Sequence, residues 1–272
     1  MTDTTRFRKT FVRFGSRMTM CALSAAAVLA LTGTPIANAA QQPFGPPCGD
    51  VDSSDYLWQK VKDPKHDKDQ VDVVIPNNDR TRGYVVHDGD AEHKSKTDFL
   101  LIPTLRISGI ECHNLLTDPP NYIKAAADEA EKLMPGKNWA LGINSAYARG
   151  QNQLHIHITQ LDDAAQFNLS TEAGAHNITT DETQWRDSKI FVKNIQFRAW
   201  NAKSLDHNFF AHLSDNVVIP LQKQGVQTGM PYQTLVVTKN HMPDGGYIIL
   251  NSDTESGLKN GTGNIEVLLN KK

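Results

Sequence analysis

Apolar and polar residues alternate along several short stretches of this chain, and such alternation is typical of β-strands that bury one face. The strictest alternation lies in "NQLHIHITQL" at 152–161. Five further stretches have strand character: "GYVVH" at 83–87, "DFLLIP" at 98–103, "WALGIN" at 139–144, "YQTLVVTKN" at 232–240 and "GYIILNSD" at 246–253. "HMPDGG", between the last two, is a hairpin signal. The pattern predicts about six strands that pair mostly antiparallel.

One stretch, 116–136, has helical periodicity instead. Asp118 is its expected N-cap, Pro119 suits the first turn, and "PG" at the end should stop it. Its apolar residues form one stripe that should pack on the sheet: Tyr122, Ile123, Ala126, Ala130, Leu133 and Met134. Residues 206–225 predict a second helix, whereas 162–206 are polar and poorly periodic. We therefore expect an α+β fold, a mostly antiparallel sheet with one principal helix packed on it.

The first 39 residues have the features of a signal peptide. A basic region precedes the apolar run "MTMCALSAAAVLALTG" at 18–33, and "ANA" at 37–39 is a small-residue cleavage site. The run is short for a membrane span, which needs about 20 apolar residues. We expect an exported protein, periplasmic or secreted; an uncleaved segment that holds the chain at the inner membrane is the alternative. Residues 40–82 are predicted to be an extended, charged segment with one short strand at 71–75, and residues 83–272 to be the main domain.

Charge and cysteine content narrow the classes of partner. The whole chain has a net charge of −2; without the five basic residues and one acid of the leader it carries 23 Lys+Arg and 29 Asp+Glu, a net charge of −6. Such a surface repels phosphodiester polymers, so we do not expect nucleic acid as a partner. Cys48 and Cys112 remain after cleavage, in a compartment where disulfides form, but two cysteines alone do not establish a pair. Without a Cys-x-x-Cys motif, a thiolate zinc cluster is excluded.

The polar side of the strand at 152–161 is unusual because Gln153, His155 and His157 occupy every second position, about 6.6 Å apart. The apolar residues between them should form the core face, because three polar groups buried among apolar ones would cost several kcal/mol. The simplest interpretation of the other face is a polar row exposed to solvent. A strand needs no imidazoles for pairing, however, so chemical interpretations have to be weighed.

Three chemical interpretations remain open at this point. A metal site would need a third ligand, and Asp162 and Asp163 are carboxylates but not the glutamate that the cupin arrangement uses. A two-histidine phosphoesterase would pair His157 with His212, although the residues after both motifs differ from that pattern. In covalent catalysis, which we favour, a neutral imidazole attacks phosphorus while neighbouring groups hold the phosphoryl oxygens.

Three segments make the sequence recognisable: "FLLIPTLRISGIE" at 99–111, "NLLTDP" at 114–119 and "INSAYARGQNQLHIHI" at 143–158. They resemble the CDP-diacylglycerol pyrophosphatase family, a bacterial branch of the histidine-triad-like superfamily. The resemblance implies a histidine-triad-like catalytic domain that cleaves CDP-diacylglycerol to CMP and phosphatidate through a nucleotidyl-histidine, without a metal or organic cofactor. It also implies a nucleotide-lipid at a membrane surface as the partner, and it is compatible with a homodimer.

The same resemblance implies roles for the histidine strand. His155 corresponds to the central, nucleophilic histidine of the His-x-His-x-His pattern, and His157 to the third. Gln153 stands in the first place, where the wider superfamily has a histidine. A register two residues later would instead make His157 the nucleophile and Thr159 the third member.

Four further residues are implied to bind the substrate. Asn144 and Gln151 match polar positions around the phosphate, and Arg149 or Arg106 would offset its charge because guanidinium groups fit phosphate oxygens. The chain departs from the family's usual ending and closes with "NIEVLLNKK". Another nucleotide or nucleotide-sugar pyrophosphatase or transferase on the same fold, or a non-catalytic exported nucleotide-lipid binding protein, is the alternative function.

Overall fold

A single antiparallel sheet organises the computed structural model, which describes residues 47–64, 69–89 and 97–270. Its strands, in chain order, are β1 (Gln70–Val74), β2 (Tyr84–Asp88), β3 (Phe99–Pro103), β4 (Trp139–Ile143), β5 (Ile156–Leu161), β6 (Lys189–Val192), β7 (Ile195–Ala202), β8 (Leu235–Lys239), β9 (Tyr247–Asn251) and β10 (Leu269–Asn270). The order across the sheet is β1-β2-β3-β5-β4-β8-β9-β7-β6, and β10 pairs with the end of β5. The predicted α+β class and antiparallel pairing are confirmed.

The two faces of the sheet bury separate apolar cores. Ile158, Leu141 and Val237 stand opposite one another on neighbouring strands and belong to the larger core. Helix α2 (Tyr122–Leu133) covers that face, and its predicted stripe is buried except for half-buried Leu133. Asp118 is not its cap. Asn121 accepts a hydrogen bond from the Lys124 amide at 3.0 Å, so the helix begins only after the two prolines.

The expectation of one principal helix was wrong because the opposite face carries helices of its own. Helix α3 (Asp163–Gly174), as long as α2, covers one part of that face through Ala165, Leu169 and Ala173. Helix α1 (Tyr56–Val61) covers another part through Leu57, Trp58 and Val61. Small residues on α3 give it a weak apolar stripe, which is why its region lacks visible periodicity. The predicted helix at 206–225 consists of α4 (Phe209–Leu213), a π-helical stretch (Ser214–Val218) and α5 (Ile219–Lys223).

The segment predicted to be extended, 40–82, contributes α1 and β1 in its described part, and β1 confirms the short strand expected at 71–75. Cys48 is joined to Cys112 by a disulfide with a Cα–Cα distance of 5.9 Å. This bond ties the segment to the loop after β3. The predicted leader lies outside the described residues, and among those described no helix has the length and apolar character to cross a membrane.

Candidate active site

The histidine strand is buried on both sides, which corrects the expectation of a half-buried strand. Gln153 is fully buried, and His155 and His157 are only 9% and 5% exposed. Cross-strand pairing places His157 between Leu100 and Gly142, in the gap between the core under α1 and the core under α3. A solvent-facing polar row is therefore excluded. Buried imidazoles need polar partners, and the surroundings supply them.

His155 lies just before β5, where its ring is held by the backbone. Its Nδ1 is 2.7 Å from the carbonyl oxygen of Gln153, two residues earlier. Since a carbonyl oxygen only accepts, Nδ1 must carry the proton, and the lone pair of the neutral ring is then on Nε2. The ring of His157 meets that of His155 edge-on, with centroids 5.2 Å apart. The two rings are thus fixed relative to each other.

His157 is approached from the C-terminal part of the chain. Its Nε2 lies 3.5 Å from Oε1 of Glu266, which also accepts a hydrogen bond from Asn144 Nδ2 at 3.2 Å. The other atom of the Asn144 amide accepts from the Ile265 backbone at 2.9 Å. Asn144 therefore anchors the turn that carries Glu266.

A glycine makes this approach possible. Gly142 faces His157 across the β4–β5 pair, and a Cβ atom there would come within 2.3 Å of the Ile265 side chain. The missing side chain leaves room for the Ile265 side chain, which would have to move if Gly142 carried a Cβ atom. Glu266 could not be found from the sequence, because it is separated from Asn144 by 122 positions along the chain and no motif links the two residues.

Gln153 and Arg106 form a fully buried polar cluster. The Gln153 amide donates to the carbonyl oxygens of Pro103 and Leu105, both at 3.0 Å, and its Oε1 accepts from Arg106 Nη1 at 2.9 Å. Arg106 also donates to the carbonyl oxygens of Asp50 and Asn152. These bonds hold the loop after β3 against the residues that precede His155. Arg106 therefore has a structural role in this cluster through Nε and Nη1, and its role as a phosphate ligand stays a prediction.

Arg149 is likewise paired. It forms a two-pronged interaction with Glu111, Nη1 to Oε2 at 2.6 Å and Nη2 to Oε1 at 2.7 Å. Burial by itself would raise the pKa of the Glu111 carboxyl, but the bonds and charge of Arg149, a backbone hydrogen bond and the Ser108 hydroxyl together outweigh it and leave that pKa below its usual value. Arg149 still lines a small cavity together with Asn144, Gln153 and His155. Of the two predicted arginines, it is therefore the one next to the site.

The other predicted residues lie elsewhere. The Gln151 side chain accepts from the backbone amide of Tyr56 at 3.0 Å, so it caps helix α1 instead of facing the cavity. Asp162 caps α3 and pairs with Lys193, so it is not a third ligand beside the histidines. The ring of His212 stacks on Trp200, which lies on the face of the sheet that α2 covers, whereas His157 points to the other face. The two histidines therefore cannot pair.

Residues 52–272 match a protein family described as CDP-diacylglycerol pyrophosphatase. The chain is also similar to the CDP-diacylglycerol pyrophosphatase of Yersinia pestis, with 42% identity over 97 residues that make up 32% of this chain and 35% of that protein. The alignment thus spans about a third of the relative's length.

Proposed function

We propose, because the chain belongs to the CDP-diacylglycerol pyrophosphatase family, that it hydrolyses the pyrophosphate bond of CDP-diacylglycerol to give CMP and phosphatidate. The observation that carries the mechanism is the 2.7 Å contact between His155 Nδ1 and a backbone carbonyl. This contact selects the ring form with its lone pair on Nε2, which is the form that can attack phosphorus.

The reaction proceeds in two displacements. Nε2 of His155 attacks the cytidylyl phosphorus, an N–P bond forms, and the bond to the bridging oxygen breaks with its electron pair on phosphatidate. Water then attacks the same phosphorus, the N–P bond breaks, and CMP leaves with the ring restored. Neither step requires a metal, because the imidazole itself is the nucleophile.

Neighbouring groups hold the nucleophile and the phosphate. His157, braced by Glu266, fixes the angle of the His155 ring through their edge-on contact. Gln153 positions the backbone carbonyl that orients His155, through its own buried bonds. Arg149 supplies positive charge at the cavity wall, although Glu111 neutralises part of it.

We also propose that the protein acts outside the cytoplasm, on lipid drawn from a membrane surface. The leader sequence and the Cys48–Cys112 disulfide support export, because such bonds persist in oxidising compartments. The histidine-triad-like assignment rests on the His-x-His strand and its resemblance, and a homodimer stays a prediction.

The test is CMP release from CDP-diacylglycerol in detergent micelles by the chain that begins at Ala40, with and without EDTA. We expect EDTA to leave the rate unchanged and His155→Ala to lower it by at least about 1,000-fold. His176→Ala, which removes an exposed histidine, is the matched control. Substrate labelled at the cytidylyl phosphate should leave label on the protein in an alkali-stable, acid-labile bond.

The outcomes separate the alternatives. If His155→Ala kept full activity and His157→Ala lost its activity, the nucleophile would be His157. Faster cleavage of soluble nucleotide sugars would indicate a different pyrophosphatase. Tight CMP binding without turnover would indicate a binding protein.

A further inference from the structure

A second group of histidines lies on the opposite face of the sheet, and the proposed reaction does not use it. Glu182, His207 and His212 each offer a ligand atom, and these atoms all lie within 4.8 Å of one another. His212 Nδ1 is 2.9 Å from Glu182 Oε2. In the part of the chain that the structure describes, this is the one group of three such residues that meets this distance.

Strand pairing establishes which face the group occupies. The imidazoles contact Trp200, which stands opposite Ile249 on β9, and Ile249 stands opposite Val237 on β8. All three belong to the core under α2, on the same face as Ile158. His157 points to the other face. The group is thus separated from the proposed active site by the sheet itself.

The donors are held by ordered structure. The ring of His212 stacks on Trp200 with centroids 5.6 Å apart and 13° between the planes, and His207 meets the same indole edge-on at 5.5 Å. His212 lies on α4, which Asn208 caps. Glu182 begins a 3₁₀ turn capped by Asp181. The three side chains are half-buried, so an ion can reach them.

We propose that Glu182, His207 and His212 bind a divalent transition metal of the zinc class. Two imidazoles and one carboxylate are a ligand set that zinc accepts, whereas calcium and magnesium prefer oxygen ligands alone. At metal–ligand distances of about 2.0–2.2 Å, tetrahedral donors are about 3.4 Å apart, so the widest gap, which is at most 4.8 Å, has to close by no more than about 1.4 Å. Half-buried side chains on a turn and on a short helix can make that adjustment.

Binding has a structural consequence. The three ligands come from the turn before β6 and from the segment that begins α4, so the metal joins two parts of the chain that surround Trp200. His207 also lines an open cleft with Asp118 and Phe210, so the fourth coordination position can take water or a ligand from that side. If these side chains bind no metal, their role is structural: the two imidazoles pack on Trp200, and Glu182 pairs with His212.

The experiment titrates Co²⁺ and Zn²⁺ into untagged, chelator-treated protein that begins at Ala40, followed by calorimetry and tryptophan fluorescence. We expect one ion per chain, visible absorption bands of four-coordinate Co²⁺, and quenching of Trp200 by Co²⁺ that EDTA reverses. Even outer-shell partners are worth about 10–100-fold in metal affinity, so His207→Ala and Glu182→Gln should each weaken binding by at least about 100-fold.

Three controls make the result decisive. Glu182→Gln keeps the size of a half-buried side chain, so it tests the site even if His207→Ala fails to fold. His176→Ala removes an exposed histidine 3.9 Å from a carboxylate and should leave binding unchanged. His155→Ala should also leave it unchanged. Absence of one-to-one binding, equal binding by Glu182→Gln, or loss of binding in His155→Ala would overturn the proposal.

Discussion

Removal of the Cys48–Cys112 disulfide should cost a large part of the stability of the fold. The bond closes a loop of 64 residues, and the chain entropy that it removes from the unfolded state corresponds to about 4 kcal/mol. Cys112 is buried, but serine is of similar size, so Cys112→Ser leaves almost no cavity. Each kcal/mol shifts the unfolding midpoint of a domain of this size by about 2–4 °C, and we therefore expect a decrease of about 8–16 °C.

Circular dichroism during heating measures this for the chain that begins at Ala40, which lacks Cys21. Cys48→Ser, Cys112→Ser and the double variant should unfold at the same temperature, because each cysteine acts through the shared bond. Reductant should lower the midpoint of the parent protein and leave the three variants unchanged. A Cys112→Ser midpoint within about 2 °C of the oxidised parent would refute the loop-entropy argument.

Three further variants test the surroundings of the site. Arg106→Met leaves the buried carbonyl acceptors of Arg106 without their donor. Urea unfolding should therefore show a free energy of unfolding that is lower by about 3 kcal/mol. An unchanged urea midpoint would contradict the structural role of Arg106. In Gly142→Ala the added methyl group collides with the Ile265 side chain, and the free energy of unfolding should fall by about 2 kcal/mol in the same assay. CMP release should also fall under conditions in which the variant remains folded. Glu111→Gln removes a carboxylate whose pKa is lowered in the folded protein, in part by Arg149. The stability that this carboxylate adds is present at pH values above its pKa in the unfolded chain, and it is lost as the pH falls through its pKa in the folded protein. Urea unfolding at several pH values should thus show a higher free energy of unfolding for the parent protein than for Glu111→Gln at neutral pH, and this difference should shrink in acid. A difference that does not change with pH would contradict this.

Seven of the ten strands in the described residues were predictable, because they alternate strictly or are continuously apolar. Strands β6, β7 and β10 were missed, and the first two lie in the stretch at 162–206 that has no clear period. Helix α2 was equally visible, since its stripe is built from large and small apolar residues on one side. Helix α3 was not, because alanines and polar residues pack it on the sheet without a clear period. The cap of α2 was misplaced because Asp118 and Asn121 are both good caps, and only the conformation of the intervening prolines decides between them.

The candidate site was predictable only where its residues are close in sequence. His155 and His157 stand out because imidazoles are unusual at alternate positions of a strand. Gln153 was recognised by its position in the motif, but the buried hydrogen bonds of its side chain to the backbone could not be predicted from the sequence. The pairing of Glu266 with His157 depends on how distant segments meet, and a single sequence does not record that contact.

The contact between the C-terminal turn and the histidine strand has a consequence for the timing of activity. Glu266 is synthesised long after the histidine strand, so a growing chain carries His155, the proposed nucleophile, before it carries the residue that contacts His157. We therefore expect a nascent chain to be unable to attack lipid until Glu266 has been made. Arrested chains of increasing length should gain CMP release only once Glu266 has emerged; activity in shorter chains would show that the brace is dispensable.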